Sequence, residues 1–360
     1  MRVAVACGGT GGHIFPGLAT AEELRRRGHE VTLWLAGKDV EHEAVRGWTG
    51  EVACVPAEGF QSRSPLRVVS TAVRLVKAVW RVRQEMAGSR PDAVLAMGSY
   101  ASVGPVGAAL TLGVPVVLHE ANVIPGRAIA MLSRWSTAVC GCFEETRYYL
   151  RGRDLMVTGM PLRKDLVEDA AGGGSESTDF PFTFLVMGGS RGAHKVNDLV
   201  SAAFVELSGR ATFRVLHLTG EKDAEWIRER YRTAGVDHEV MAFTRDMAPL
   251  YHRADYAICR SGASTCSELC VFGLPSLLVP YPFAVRDHQM ANARAMEKLG
   301  AADVAPERDL NVDWLVTYLD RSLRVADRRE RMAKAARSRA IGDGAERLAD
   351  VVEKVMGTVE

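Results

Sequence analysis

The feature that most restricts the possible folds is an alternation of short apolar runs with segments of helical period along nearly the whole chain. Runs that are apolar at every position are typical of strands buried on both faces, and such strands with helices between them form parallel sheets. In the first half the alternating strand and helix segments are Arg2–Ala6, Pro16–Arg27, Glu30–Leu35, Val40–Arg46, Ala93–Ala96, Ser102–Leu112, Val114–Leu118 and Ile124–Arg134.

The alternation stops at residues 161–182 and then begins again. That stretch carries prolines, a Gly172-Gly173-Gly174 run and acidic residues, which is a composition typical of a linker. The second half reopens with an apolar run, a glycine-rich turn and a helical segment, as the first half does. Its strand segments are Thr183–Met187, Arg214–Leu218, Val240–Ala242, Tyr256–Cys259 and Ser276–Val279.

Two domains follow from the length and from this repetition. A chain of 360 residues exceeds what one hydrophobic core usually supports. We therefore predict an α/β fold with two Rossmann-like domains facing a cleft, over residues 1–162 and 163–340. A C-terminal helix over 341–360 is expected to pack back on the first domain. Ligands in open sheets of this kind lie beyond the carboxyl ends of the strands.

Charge and cysteine usage exclude several classes of protein. The formal net charge of +1 gives no general attraction to nucleic acid, so no nucleic-acid partner is expected. Seven scattered cysteines without paired Cys-x-x-Cys spacing predict buried thiols in a reducing cytoplasm rather than a zinc knuckle or a disulfide framework. The N-terminus shows no secretory signal and no apolar run reaches the length of a membrane span, so we expect only peripheral membrane contact.

The first glycine-rich turn, Cys7-Gly8-Gly9-Thr10-Gly11-Gly12-His13, lies between a strand and a helix. It departs from the dinucleotide fingerprint, because the second strand ends in Leu35-Ala36-Gly37-Lys38 without a ribose-binding acid. Glycines at this place bring backbone N–H groups close to an anion at a positively polarised helix start. The alternative is a tight turn that needs glycine for its geometry alone.

Two further turns in the second half repeat this arrangement. The turn Gly188-Gly189-Ser190-Arg191-Gly192-Ala193 can bind phosphate through its backbone and Ser190, although a purely structural turn fits equally well. The segment Arg260–Glu268 places a carboxylate one turn into a helix, where it can accept two ribose hydroxyls. Alternatively Glu268 completes a capping box with Thr265, three residues earlier.

Polar residues at two other strand ends are candidate sugar contacts. The segment from Pro280 to Asn292 carries two prolines and a polar cluster that includes Gln289. His119-Glu120-Ala121-Asn122 ends a strand, and Asn122 either faces the site or caps the next helix.

A basic amphipathic helix is predicted between Gly59 and Gln84. This stretch has no acidic residue, and its basic residues are accompanied by apolar residues near helical spacing. One interpretation is a core helix with a solvated basic face. The other is a helix that contacts an anionic membrane surface. Its candidate membrane contacts are Arg67, Arg74, Lys77, Trp80 and Arg81.

Read in order, these segments resemble the bacterial peptidoglycan N-acetylglucosaminyltransferases that make lipid II. The resemblance spans nearly the whole chain. The motifs that carry it are GGTGGHIFPGLA at 8–19, MGSYASVGP at 97–105, HEAN at 119–122, GMPLRKD at 159–165, GGSRGA at 188–193 and RSGASTCSE at 260–268. It implies the two-domain inverting fold called GT-B, with the acceptor on the first domain and the donor on the second.

The resemblance also implies roles for individual residues. The donor would be UDP-N-acetylglucosamine and the acceptor lipid I, at the cytoplasmic face of the cell membrane, with other cell-wall enzymes as partners. His13 would be the catalytic base and Glu120 the next candidate. The acceptor and phosphate turn would include Gly8, Gly9 and Tyr100. The implied donor contacts are Thr10, Gly11, Gly12, Asn122, Arg163, Ser190, Ser264, Glu268 and Gln289.

Neither a metal nor a cofactor is expected, because the chain has no Asp-x-Asp motif for metal-dependent diphosphate binding. The sequence departs from the family pattern at Ser99, Ala121, Met160 and Arg286, near the expected sugar site. Rival interpretations are a sister GT-B enzyme with another sugar or lipid, a catalytically silent UDP-sugar-binding protein, and a non-hydrolysing UDP-sugar 2-epimerase. The epimerase is disfavoured because it needs no basic membrane helix.

Overall fold

The computed structural model describes residues 1–37, 41, 44–55, 65–150, 152–172, 181–189 and 192–357, with side chains in the helix over 65–88 from residue 76 onward. The chain divides into two compact units. The first unit consists of Met1–Arg163 and Gly342–Glu360, and the second of Lys164–Ile341.

The strands and helices alternate within the described residues. The strands are β1 Arg2–Ala6, β2 Glu30–Leu35, β3 Glu51–Cys54, β4 Ala93–Ala96, β5 Val116–Glu120, β6 Ala138–Gly141, β7 Met156–Val157, β8 Thr183–Met187, β9 Arg214–Leu218, β10 Asp237–Met241, β11 Tyr256–Cys259, β12 Ser276–Leu278 and β13 Ala302–Val304. The helices are α1 Gly11–Arg26, α2 Pro65–Gly88, α3 Val103–Leu112, α4 Arg127–Leu132, α5 Lys164–Gly172, α6 His194–Ser208, α7 Ala224–Thr233, α8 Ala248–Arg253, α9 Ala263–Phe272, α10 His288–Lys298, α11 Val312–Arg324, α12 Ala326–Arg339 and α13 Gly344–Gly357.

Each unit contains one parallel sheet, in agreement with the predicted pair of Rossmann-like domains. Among the described residues the first sheet has the order β3-β2-β1-β4-β5-β6-β7, and the second has the order β10-β9-β8-β11-β12-β13. The strand order reverses between β1 and β4 in the first sheet and between β8 and β11 in the second. A reversal of this kind opens a crevice at the carboxyl ends of the two central strands, where ligands bind.

The C-terminal helix α13 completes the core of the first unit. Its buried residues Leu348 and Val352 lie in one cluster with Val5, Leu33 and Leu95 from the central strands. The end of α1 holds the same helix through Arg27, whose Nη1 lies 2.6 Å from Asp350 and 2.7 Å from Glu353. The last helix of the chain is therefore part of the first unit's structure.

Several expectations from the sequence need correction. The predicted linker over 161–182 contains helix α5, which buries Leu166 and carries the exposed ion pair between Lys164 and Glu168. Strands β3, β6, β7 and β13, each of two to four residues, were not predicted. All seven cysteines lie in the described ranges as free thiols, and six are buried, whereas Cys54 at the end of β3 is exposed. Most of the helix predicted over Val40–Arg46 lies outside the described residues.

Candidate active site

The first glycine turn joins β1 to α1 and holds an acidic side chain of the protein itself. The Gly9 N–H donates to Oε1 of the buried Glu41 at 2.6 Å. The turn therefore binds a carboxylate at one of the amides that the sequence assigned to phosphate, and Gly8 is buried beside it. The next amides, those of Gly11 and Gly12, lie in the first turn of α1, where backbone N–H groups have no carbonyl partner within the helix.

His13 lies in the first turn of α1 and contacts Thr10. Thr10 is the N-cap residue of this helix, but its Oγ1 lies 3.0 Å from Nδ1 of the His13 imidazole instead of capping a backbone amide. If Nδ1 donates its proton to Thr10, then Nε2 is the basic nitrogen of the ring. The contact fixes the orientation of the His13 ring.

The turn after β4 packs directly against this histidine. A Cβ atom added at Gly98 would lie 3.4 Å from Cδ2 and 3.5 Å from Nε2 of His13. A Cβ added at Gly9 would lie 2.4 Å from Ser99 Oγ, and Gly9 and Gly98 have φ values of 132° and 96°, so the backbone conformation of both turns favours glycine. Ser99 itself has a φ of 64°, a left-handed conformation that glycine adopts without strain, at one of the positions where the chain departs from the family pattern.

The end of β5 places His119 and Glu120 beside the same crevice. His119 is fully buried, its Nε2 lies 2.9 Å from the Gly159 carbonyl, and burial lowers its pKa to about 4, with a smaller effect from His13. Glu120 accepts hydrogen bonds from the backbone N–H groups of Asn122 and Gly126 at 2.9 and 2.8 Å. Burial raises the pKa of Glu120, while these hydrogen bonds oppose the shift.

These contacts change the interpretation of Glu120 and Asn122. Both oxygens of Glu120 hold the turn over 121–126, and Asn122 Nδ2 also donates to it at 3.2 Å. Glu120 is therefore a positioning group in this structure. Helix α4 begins at Arg127 with Gly126 as its N-cap, so the alternative in which Asn122 caps the helix is wrong. The departures at Ala121 and Met160 are both buried, with 9% and 1% of their surface exposed.

Two other predicted residues lie in the first unit. Tyr100 begins the short 3₁₀ helix Tyr100–Ser102 and is half-buried. The buried Ser102 hydroxyl donates to the Gly98 carbonyl, which anchors this turn to the one carrying Ser99. Arg163 is half-buried and is the last residue of the first unit before Lys164.

In the second unit, the glycine turn after β8 is described at Gly188, Gly189, Gly192 and Ala193. Ser190 lies outside the described residues. A Cβ added at Gly188 would lie 2.4 Å from Ala193 N, and one added at Gly192 would lie 2.3 Å from the Thr219 carbonyl oxygen. Both glycines therefore have no room for a side chain, and the start of α6 lies against the end of β8.

Glu268 is held by a buried tyrosine that sequence reasoning missed. The Tyr251 hydroxyl donates to Glu268 Oε2 at 2.6 Å. Burial and the Glu268 charge raise the pKa of Tyr251, so its hydroxyl keeps the proton that it donates. Helix α9 begins at Ala263 with Gly262 as its N-cap, so Thr265 is the third residue inside the helix and the capping-box interpretation is wrong. Ser264 lies in the first turn of α9 and is half-buried.

Gln289 and Asn292 join the start of α10 to the turn before α9. The Ser261 hydroxyl donates to the Gln289 carbonyl at 2.8 Å, and Asn292 Nδ2 donates to the Ser261 carbonyl at 3.1 Å. Gln289 Oε1 accepts the Tyr281 N–H at 2.9 Å, which leaves Nε2 as the group that can donate to a ligand hydroxyl. Arg286, the remaining departure, has a φ of 56° in the turn before α10.

The described part of α2 has two distinct faces. Val82 and Met86 are buried, and Val79 packs on α3 at Gly107. Trp80 is 61% exposed, and Lys77 and Arg81 are exposed with it. Arg81 Nε lies 3.3 Å from Glu85, which offsets part of its charge. The side chains of Arg67 and Arg74 lie outside the described part.

Each unit thus contains one cluster of predicted site residues. In the first unit His13, Thr10 and Gly98 meet at the reversal between β1 and β4. In the second, Glu268 and Gln289 flank the turn after β11. Sequence reasoning missed Glu41 and Tyr251, which come from other parts of the chain and carry no local motif that identifies them.

The comparisons with known proteins agree with this architecture. Residues 3–140 match the glycosyltransferase family 28 N-terminal domain, and residues 183–348 match the glycosyltransferase family 28 C-terminal domain. Together with the two Rossmann-like sheets, these matches define a glycosyltransferase.

Full-length relatives narrow this class. The chain is 37% identical over 361 residues to the UDP-N-acetylglucosamine-N-acetylmuramyl-(pentapeptide) pyrophosphoryl-undecaprenol N-acetylglucosamine transferase of Synechococcus elongatus, covering 99% of this chain and 98% of the relative. It is 38% identical over 357 residues to the protein of the same name from Shewanella oneidensis, covering 97% and 96%. The chain belongs to this family of glycosyltransferases.

Solved structures show the same fold. The crystal structure of Acinetobacter baumannii MurG has a TM-score of 0.81 and 28% identity, covering 98% of this chain and 99% of that one. A UDP-GlcNAc 2-epimerase from Neisseria meningitidis has a TM-score of 0.70 at 12% identity, which indicates a shared fold alone.

Proposed function

We propose that this enzyme transfers N-acetylglucosamine from UDP-N-acetylglucosamine to the muramoyl 4-hydroxyl of lipid I, with inversion, to give lipid II. Family membership supports the substrates, since the relatives carry these substrates in their names. The structural observation that carries the proposal is the pairing of His13 with Thr10 at one glycine turn and of Glu268 with Tyr251 beside another.

The acceptor chemistry is assigned to the first unit. The acceptor hydroxyl oxygen forms a bond to the anomeric carbon while the bond from that carbon to the diphosphate oxygen breaks. His13 Nε2 takes the hydroxyl proton, and Thr10 orients the ring by accepting from Nδ1. The Gly9 amide already binds Glu41, so we reassign the acceptor diphosphate to the Gly11 and Gly12 amides, which the resemblance assigned to the donor, with Tyr100 as a further contact.

The donor chemistry is assigned mainly to the second unit. Glu268 accepts the ribose hydroxyls. The Tyr251 hydroxyl donates to one carboxylate oxygen and thereby fixes the plane of the carboxylate. The starts of α6 and α9, near Ser264, stabilise the charge that develops on the departing UDP. Gln289 Nε2 donates to a sugar hydroxyl. Arg163 adds a guanidinium to the diphosphate.

A peripheral membrane site on α2 fits a lipid-linked acceptor. Every helix in the described part of the chain is too short or too polar to cross a lipid bilayer. An exposed tryptophan with neighbouring cations favours binding at an anionic membrane surface, which we assign to the cytoplasmic face, and each cation near an anionic leaflet contributes about 1 kcal/mol. Reversal of Lys77 and Arg81 to Glu should weaken binding to phosphatidylglycerol vesicles at low salt.

The matched control for this test is the reversal of Arg331 and Lys334, an exposed pair on α12 in the second unit. Vesicle binding should be kept in the control variant, and a soluble acceptor analogue should be used equally well by both. Equal loss of vesicle binding in the two variants would indicate general charge attraction instead of an α2 site.

The decisive experiment for the activity is release of UDP from UDP-N-acetylglucosamine with and without lipid I. We expect release only when the acceptor is present, together with formation of a β-linked disaccharide lipid. Faster release of nucleotide from another nucleotide sugar than from UDP-N-acetylglucosamine would indicate a sister enzyme. Binding of UDP without turnover would indicate a silent binding protein, and formation of UDP-N-acetylmannosamine would indicate an epimerase.

A further inference from the structure

A chain of fully buried polar side chains lies behind the second glycine turn. Asn197 on α6, His217 on β9 and Tyr231 on α7 are all at 0% exposure. His217 Nε2 lies 3.2 Å from Asn197 Oδ1, and His217 Nδ1 lies 3.0 Å from the Tyr231 hydroxyl. The activity described above uses none of these groups, although burial of three polar side chains is costly unless each is paired.

The chemistry of the groups allows only one direction for these hydrogen bonds. Asn197 Oδ1 is an acceptor, so His217 Nε2 must donate to it, and His217 Nδ1 must then accept from the Tyr231 hydroxyl. Burial lowers the pKa of His217 to about 3, so the ring stays neutral as this pattern requires. Burial also raises the pKa of Tyr231, which keeps its proton. The side-chain amide of Asn197 is thereby held in one orientation.

The donor end of Asn197 reaches the loop that supports the glycine turn. Its Nδ2 donates to the Thr219 carbonyl at 2.8 Å and to Asp223 Oδ2 at 2.7 Å. The same Thr219 carbonyl is the atom that lies against Gly192, which has a φ of 74°. Asn197 therefore holds the surface on which the last glycine before α6 lies.

Asp223 connects the same network to the first residue of α6. Its Oδ1 accepts from His194 Nδ1 at 2.9 Å and from Trp226 Nε1 at 3.0 Å. Burial alone would raise the pKa of Asp223, but the hydrogen bonds from His194, Trp226 and Asn197 together lower it, so the carboxylate is ionised. Through these contacts the start of α6 is tied to the loop after β9.

We propose that Asn197 is a positioning residue for the diphosphate of the UDP-sugar, acting through Thr219 and Gly192. This inference rests on the proposed function, because it assigns the donor diphosphate to the start of α6. Asn197 has no contact with the ligand in this assignment. It sets the place of the Gly192 and Ala193 amides, and its loss lets the turn move away from the position that the diphosphate needs.

The test compares Asn197→Ala with a matched control, Tyr256→Phe. Tyr256 is equally buried in the same unit, and its hydroxyl lies 2.6 Å from that of Tyr318, away from the glycine turns. Both variants lose a buried hydrogen bond and should unfold at lower temperature. The Kd for UDP alone, measured by calorimetry well below both melting temperatures, should rise about 5–30-fold in Asn197→Ala and stay at the wild-type value in Tyr256→Phe.

Steady-state kinetics adds a second measurement. In Asn197→Ala the KM for UDP-N-acetylglucosamine should rise by the same factor, while the KM for the lipid acceptor stays unchanged. If Asn197→Ala does not fold, Asn197→Ser is measured in its place. An unchanged Kd for UDP, or an equal rise in the control variant, overturns the positioning role. Wild-type protein that binds UDP but never transfers sugar contradicts the proposed function instead, and the comparison of UDP affinities remains valid.

Discussion

The hydrogen bond between Tyr251 and Glu268 leads to a graded prediction for donor binding. Tyr251 is 3% exposed, and its hydroxyl lies 2.6 Å from the Glu268 carboxylate that we assign to the ribose. Tyr251→Phe removes the hydroxyl without changing the ring. The carboxylate can still reach the ribose, but it must be ordered on binding, which costs roughly 0.5–1.5 kcal/mol for a side chain with several rotamers.

That cost corresponds to an increase of about 2–10-fold in the KM for UDP-N-acetylglucosamine, with kcat nearly unchanged. Glu268→Ala removes the contact itself. Hydrogen bonds to charged groups contribute about 1.5–3 kcal/mol, so this variant should lose about 10–150-fold in donor affinity. The two variants should therefore differ by roughly an order of magnitude and in this order.

The assay is release of UDP at saturating lipid acceptor, with UDP affinity measured separately by calorimetry. Tyr256→Phe is again the matched control, because it removes a buried tyrosine hydroxyl of the same unit at the same distance from its partner. Lower melting temperatures for Tyr251→Phe and Glu268→Ala with unchanged donor affinity would refute the reasoning. Glu268 would then be a structural residue whose carboxylate supports Tyr251.

Three other perturbations have expected outcomes. His13→Gln should lower kcat by about 10²–10⁴-fold and remove the acidic limb of the pH–rate profile. Thr10→Val should lower kcat less, because it removes only the orienting contact. An acidic limb that persists in His13→Gln rules His13 out as the base. Acidification from pH 6.5 toward pH 4 should destabilise the fold. His119 takes up a proton in the unfolded chain over this range, whereas burial lowers its pKa in the native protein to about 4. The slope of unfolding free energy against pH should therefore be smaller in His119→Phe. Leu348→Ala in α13 should cost about 2–5 kcal/mol of stability in denaturant unfolding, while Leu299→Ala at a 40% exposed site should cost less than about 0.5 kcal/mol.

The sequence predicts the central strands well and their surroundings less well. β1, β2, β4, β8, β9 and β11 have the bounds expected from their apolar runs, because a strand buried on both faces is mostly apolar. Helix α5 was missed because the prolines and the Gly172-Gly173-Gly174 run around it dominate the local composition. Burial of Leu166 in the second unit stabilises the helix, and the local sequence pattern does not reveal this burial.

The candidate site shows the same division between local and distant information. The glycine turns are visible in the sequence because their chemistry is local, as at Gly9 and Gly192. Their supporting contacts are not, because Glu41 is 32 residues from Gly9 and Tyr251 is 17 residues from Glu268. The exposed Trp80 could be predicted from helical spacing, but the packing of Val79 on α3 depended on Gly107, which only the folded unit brings into contact.

Helix α13 completes the core of the first unit but follows the second unit in the sequence. The unit that the ribosome begins first is therefore the unit whose core is completed last. The second unit, Lys164–Ile341, is one continuous segment, whereas the first unit needs Leu348 and Val352 from beyond that segment. The first unit, although synthesised first, keeps an uncovered apolar face on its central strands until α13 is available. A nascent chain stalled near residue 341 therefore exposes that face to chaperones, and a gene fragment that encodes residues 1–163 alone gives a protein with the same defect permanently.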